Sequence, residues 1–170
     1  MSSSRLWQIS PDEDMIQIGV IGAAEADEHL CGVAYRIGVL IASIGAVLIS
    51  GGRGGVMEAA SVGASDAGGL VIGILPDSTG NQYLDIAIRT GLGNARNAII
   101  VRTSDALIAI GGGYGTLSEI ALALKEGKMV YGIKTWEIPG VVTADSPEDA
   151  FLQVCQQLGI EPPVCAVHKS

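Results

Sequence analysis

A chain of 170 residues suits one domain with a full core; 48% of it is hydrophobic but only 4% aromatic, so Ile, Val, Leu, Ala and Gly must build that core at close spacing. The net charge of −8 argues against long nucleic acid as a partner, since that binding draws its affinity from clustered Lys and Arg. Cys31, Cys155 and Cys165 form no CxxC pair and no metal spacing with His29 and His168, so they read as reduced thiols of a cytoplasmic protein with no metal site.

Residues 1–16 contain no continuous apolar run and read as a solvated tail rather than a signal peptide. Gln17–Gly22 is a first buried strand ending in glycine. Acidic residues Glu25, Asp27 and Glu28 then open a helix whose apolar positions Leu30, Val33, Ala34, Ile37, Ile41 and Ile44 recur at helical spacing up to Gly45. The apolar stretch from Gly32 to Gly52 is no membrane span, because Arg36 interrupts it and Gly45 divides it. A strand, Ala46–Ser50, runs into Gly51-Gly52-Arg53-Gly54-Gly55, followed by a small-residue helix from Val56 to Ala67.

Leu70–Leu75 is a third strand, stopped by Pro76. The polar loop Asp77–Tyr83 leaves the same sheet edge and is a candidate lid. Asp85–Thr90 reads as a short edge strand, and a helix is expected from near Asn94 to Thr103. Arg96 would lie in its first turn, where a cation opposes the dipole unless an anion sits there too.

The organising stretch is Ala106–Lys125. Ala106–Ile110 is an uninterrupted apolar run with β-branched members, as in a strand buried on both faces. Gly111-Gly112-Gly113-Tyr114-Gly115 follows, and Thr116 is expected to open a helix with Leu117, Ile120, Ala121 and Leu124 on one face. Bare backbone N–H groups at such a junction attract anions, phosphate above all. Thr116-Leu117-Ser118-Glu119 also fits a capping box, so Glu119 is either a cap or a group aimed at a ligand.

Met129–Ile133 and Val141-Val142 complete the strands. Ser146 with Pro147 starts a last helix, which buries Phe151, Val154, Cys155 and Leu158 before Gly159. The domain is thus expected over residues 17–160, with a tail at 161–170. Regular alternation of strand and helix gives an α/β doubly wound, mostly parallel Rossmann-like sheet with helices on both faces, and its glycine turns open on the carboxyl edge where ligands bind. G-x-G-x-x-G fails at Thr116, no G-K-[ST] follows either glycine loop, and no Ser/His/Asp set lies near them. Nicotinamide dehydrogenases, phosphate-loop NTPases and triad hydrolases therefore find no support.

Four motifs in order, Ser50–Glu58, Gly73–Pro76, Thr90–Asn97 and Gly111–Glu119, resemble the Lonely Guy-like superfamily of Rossmann-type proteins, most closely its molybdenum cofactor carrier-like branch. For the hydrolases of that superfamily, the resemblance implies a phosphoribohydrolase that splits a nucleoside 5′-monophosphate into base and ribose 5-phosphate. The backbone of Gly112, Gly113 and Gly115 with Thr116 would then hold phosphate, Arg96 would fix the substrate and Glu119 would face the ribose. Gly111 stands where those hydrolases have proline, and the Gly93–Asn97 segment keeps only their arginine. The carrier-like branch tolerates both changes. It implies binding, without turnover, of a phosphorylated pterin such as the molybdenum cofactor (molybdopterin), in a homodimer or homotetramer and with no cofactor required. Gly22, Gly52, Arg53, Asn94, Arg96, Gly112, Gly113, Gly115 and Thr116 are the candidate ligand-binding residues. The partner is a small phosphorylated molecule rather than a nucleic acid polymer or a membrane.

Overall fold

The computed structural model describes residues 14–164; the rest of the expected tails, with Trp7, Cys165 and His168, lies outside the described residues. Seven strands form one parallel sheet in the order β4-β3-β2-β1-β5-β6-β7: β1 (Gln17–Gly22), β2 (Val47–Ser50), β3 (Leu70–Leu75), β4 (Ile86–Arg89), β5 (Ala106–Ile110), β6 (Val130–Ile133) and β7 (Val141–Thr143). A Rossmann-like α/β sheet is what the strand-helix alternation predicts. The order reverses at β1, which pairs with β2 on one side and with β5 on the other, from Ile18 opposite Ala106 to Gly22 opposite Ile110. The crevice at such a switch point is where open α/β sheets bind ligands.

Each side of the sheet has its own core. Ile18, Val20, Ala106, Ile108 and Ile110 face a layer made by α1 (Glu28–Ser43), α2 (Val56–Asp66) and α5 (Pro147–Leu158). Ile21, Leu107 and Ala109 face α3 (Asn97–Thr103) and α4 (Tyr114–Lys125). Because successive side chains of a strand alternate between faces that are both covered, the central strands read as continuous apolar runs. Asp27 caps α1 by accepting from the Leu30 N–H at 2.8 Å, and Ser146 caps α5 by accepting from the Asp149 N–H at 3.1 Å. Each such cap contributes about 1 kcal/mol.

Helices α1 and α2 touch backbone to backbone. A Cβ at Gly38 would lie 2.1 Å from the Ala60 carbonyl oxygen, and one at Gly63 would lie 2.0 Å from that of Tyr35. The small residues of α2 therefore serve close helix packing.

The structure corrects three sequence expectations. Packing starts before residue 17: Met15 and Ile16 lie against the core, and the Val47 N–H bonds the Ile16 carbonyl at 2.8 Å. Between β4 and α3 the chain forms a 3₁₀ turn, Gly93–Arg96, before the α-helix begins at Asn97. Helix α4 starts two residues earlier than expected, at Tyr114, with Gly113 as its N-cap. Its buried face is accordingly Thr116, Glu119, Ile120 and Ala123, while Ala121 is exposed. No helix among the described residues is long and apolar enough to cross a membrane.

Candidate functional site

At the switch point lies a cleft of about 230 Å³, lined by Gly22, Ala24, Arg53, Met57, Asn94, Arg96, Asn97, Gly113, Gly115, Thr116 and Glu119. Seven of the nine candidate ligand-binding residues, and Glu119 with them, meet in it. Gly52 and Gly112 lie outside the lining. Both have positive φ, and both are crowded: a Cβ on Gly52 would meet Leu75 at 2.4 Å, and one on Gly112 would meet Thr116 at 2.6 Å. Their glycines shape the turns from behind.

The elements explain the convergence. Strand β5 ends under the cleft, and its glycine loop is tied back on the far side. There Trp136 Nε1 donates to the Gly113 carbonyl at 3.2 Å, Thr135 donates to the Gly111 carbonyl, and the Gly111 N–H bonds the Ile133 carbonyl at 3.0 Å. With these carbonyls engaged, the first N–H groups of α4 remain, and no side chain caps them. An uncapped helix N-terminus carries orphan donors and the positive end of the dipole.

Thr116 and Glu119 do not form the capping box that their spacing suggests. They stand on the third and sixth residues of α4, both turned inward, at 3% and 6% exposure. Glu119 faces Arg96 instead, with Oε1 3.7 Å from Nη1. Arg96 ends the 3₁₀ turn and immediately precedes α3. The anion expected beside it is therefore supplied, in part, by the protein's own carboxylate.

Asn97 holds this arginine in place, a role that sequence reading missed. Its Oδ1 accepts from Arg96 Nη1, and its Nδ2 donates to Ser118 Oγ at 3.1 Å. Ser118 in turn donates to the Gly115 carbonyl at 2.7 Å, linking α3 to the start of α4. The signal was present: Asn97 shares its buried face with Ile100 and Val101 at helical spacing, and a polar side chain there needs a partner. Arg96 Nη2 also lies 3.4 Å from the Gly51 carbonyl, but the buried Nε has no partner. One donor of the fork is thus unsatisfied, which costs about 1–3 kcal/mol in a buried group. Arg53, the other cation of the cleft, is drawn aside to Asp77 at 2.8 Å. The Asp77–Tyr83 loop, expected as a lid, is pinned to the neighbouring glycine turn by Asn81, which donates to the Arg53 carbonyl at 3.0 Å.

Burial raises the Glu119 carboxyl to about 7, and attraction to Arg96 only partly offsets this. Burial also lowers Arg96, with Glu119 opposing that shift. The sign for stability follows by linkage. A carboxyl raised on folding favours the native state while it is protonated, so this contribution is complete below about pH 4.5 and lost as pH rises through about 7. Glu119→Gln is therefore expected to gain about 2–3 kcal/mol relative to the parent protein between pH 4.5 and pH 8. Urea unfolding of both proteins at several pH values checks this, and parallel stability curves would show that the carboxyl is not so perturbed.

A family model described as the SLOG cluster4 family matches residues 15–160. An uncharacterized protein of Archaeoglobus fulgidus is 56% identical over 139 residues, covering 80% of this chain and 92% of that one. The cytokinin riboside 5′-monophosphate phosphoribohydrolase LOG of Oryza sativa is 32% identical over 126 residues, covering 70% of this chain but 50% of that one. Among solved structures, the molybdenum cofactor binding protein of Rippkaea orientalis superposes with a TM-score of 0.81 at 43% identity, over 85% of this chain and 98% of its own. The molybdenum cofactor carrier protein of Chlamydomonas reinhardtii gives 0.78 at 38%, over 86% and 99%.

Proposed function

The chain belongs to the SLOG cluster4 family, within the Lonely Guy-like Rossmann superfamily, and from that premise we propose that it binds the phosphate of a small phosphorylated heterocycle in the cleft at Arg96. The heterocycle is a pterin of the molybdenum cofactor type, and the protein carries it rather than hydrolysing it. One observation above all supports the phosphate reading: a guanidinium held beside an uncapped helix N-terminus, with a buried donor left unpaired. Likeness to two proteins named for the molybdenum cofactor, each covered almost end to end, supports the pterin.

The function is tested by melting the protein across a range of molybdopterin concentrations. A ligand that binds only the native state raises Tm by mass action, by about 2.7 kcal/mol of stability at a hundredfold excess over Kd. A flat Tm across the series would remove the carrier reading.

Hydrolysis remains the second reading because of Glu119. A carboxyl at about 7 can both accept and donate a proton at neutral pH, as a general acid–base group must. Under that reading, purine or pyrimidine 5′-monophosphates release ribose 5-phosphate, and Glu119→Gln loses turnover while keeping affinity. Under the carrier reading, neither protein releases any.

A further inference from the structure

Both cations of the cleft already face a carboxylate of the protein. Arg53 meets Asp77 at 2.8 Å, and Arg96 meets Glu119 at 3.7 Å. The two pairs differ in how they can answer an incoming anion. The Asp77 side chain is 51% exposed on the polar loop after β3, so water can replace Arg53 around it. Glu119 has no such exit. Its side chain is 8% exposed on the inward face of α4, and among the described residues no hydrogen bond reaches its carboxylate.

No other carboxylate and no histidine lines the cleft in front of Glu119. The end of β1 contributes Gly22 and Ala24, α2 contributes Met57, and the turn and helix opposite contribute Asn94, Arg96 and Asn97. Besides burial and Glu119, two charges reach Arg96: Arg53 disfavours its charged form and Asp77 supports it. His29 lies against Lys134 at 3.0 Å, outside the lining.

A phosphate held by Arg96 shares one guanidinium with the Glu119 carboxylate. Like charges that close, about 4–6 Å apart, favour protonation of one of the two groups. Glu119, raised by burial to about 7, holds a proton more readily than a phosphate monoester, whose second pKa is about 6. Resting on the phosphate reading of the cleft, we propose that Glu119 takes up one proton from solvent when a phosphate dianion binds at Arg96. The site thus accepts its ligand together with a proton, and above neutral pH the Glu119 carboxylate competes with the ligand for Arg96.

Ribose 5-phosphate is the probe, titrated calorimetrically at pH 7 and pH 8, where its phosphate is almost wholly dianionic. At pH 8 the titration is repeated in Tris and in Hepes, whose ionisation enthalpies differ, so that the dependence of the measured heat on buffer counts protons. The parent protein is expected to take up close to one proton per site. Its Kd should be about fivefold higher at pH 8 than at pH 7, because a carboxyl near 7 is about half protonated at the lower pH and about one-tenth at the higher. Glu119→Gln, neutral and of the same shape, should take up none, show the same Kd at both pH values and bind about tenfold more tightly than the parent at pH 8. Binding by the parent without proton uptake, and with one Kd at both pH values, overturns the coupling and leaves the phosphate site standing. The same uptake in Glu119→Gln, or a variant that binds no more tightly than the parent at pH 8, overturns it too and puts any proton elsewhere. Failure of the parent to bind at pH 7 overturns the phosphate reading and the coupling with it.

Discussion

Replacing Arg96 with methionine is expected to weaken ribose 5-phosphate binding by about 30- to 150-fold, corresponding to about 2–3 kcal/mol for a charge-assisted fork on a phosphate. Methionine keeps much of the length and apolar stem of the side chain, so the loss reports the guanidinium. Arg96→Lys should recover only part of the affinity, since an ammonium keeps the charge but not the planar pair of donors. The same variant carries a signature in stability. Without Arg96, Glu119 loses the one attraction that opposes its burial, so its carboxyl is driven higher still. The folded protein then holds its proton to a higher pH than the parent does, so stability goes on falling above about pH 7, where the parent's curve levels off. Calorimetric titration at pH 6, where the variant remains protonated and folded, keeps the two effects apart. Unchanged affinity there would mean that phosphate binds elsewhere.

The second large effect concerns α1 and α2. An added methyl at Gly38 would meet the Ala60 carbonyl oxygen at 2.1 Å and the Ala64 nitrogen at 2.7 Å, and at Gly63 the Tyr35 carbonyl oxygen at 2.0 Å. All three are backbone atoms, so no rotamer change relieves the contact and the helices must separate. Glycine-to-alanine changes inside a helix normally gain up to about 1 kcal/mol of propensity. Forcing two packed helices apart costs about 1–3 kcal/mol or more, and steric cost decides the sign here. Gly38→Ala and Gly63→Ala are each expected to lower Tm by about 5–10 °C in a chain of this size. Their double variant should cost less than the sum, because one separation accommodates both methyls. Gly32→Ala supplies the control: it lies in the same helix with nothing within 4 Å of the added Cβ, and it should be neutral or stabilising. A Gly38→Ala protein as stable as Gly32→Ala would refute the close contact.

Much of this architecture was legible because its strands are buried on both faces. Ala106–Ile110 and Val47–Ser50 leave no polar side to blur the pattern, and glycine turns punctuate them. Helix starts with side-chain caps, such as Ser146 before Pro147, were legible for the same local reason. The start of α4 was not. Thr116 and Glu119 have the spacing of a capping box, yet Gly113 sets the N-cap through backbone conformation, which shifts both side chains inward by more than half a turn. Spacing along a helix gives separation and not phase, so it could not decide whether Glu119 served the cap or the cleft. The pairing of Glu119 with Arg96 was equally hidden, because it depends on how α3 sits against α4 across the sheet face. The crowding behind Gly52 and Gly112 is likewise tertiary: in sequence, a glycine needed for a ligand and one needed for a neighbouring side chain look alike.

The all-parallel sheet also has a consequence for how the chain is made. No neighbouring strands can form as a hairpin, and β1, in the middle, has its second partner only in β5. During synthesis, β2 to β4 can assemble on one side of β1 while its other edge stays open until Ala106–Ile110 leave the ribosome. At elongation rates of about 5–20 residues per second, that edge waits several seconds. Strand β5 and the glycine loop that lines the cleft therefore arrive together, and the same step that closes the sheet completes the cleft.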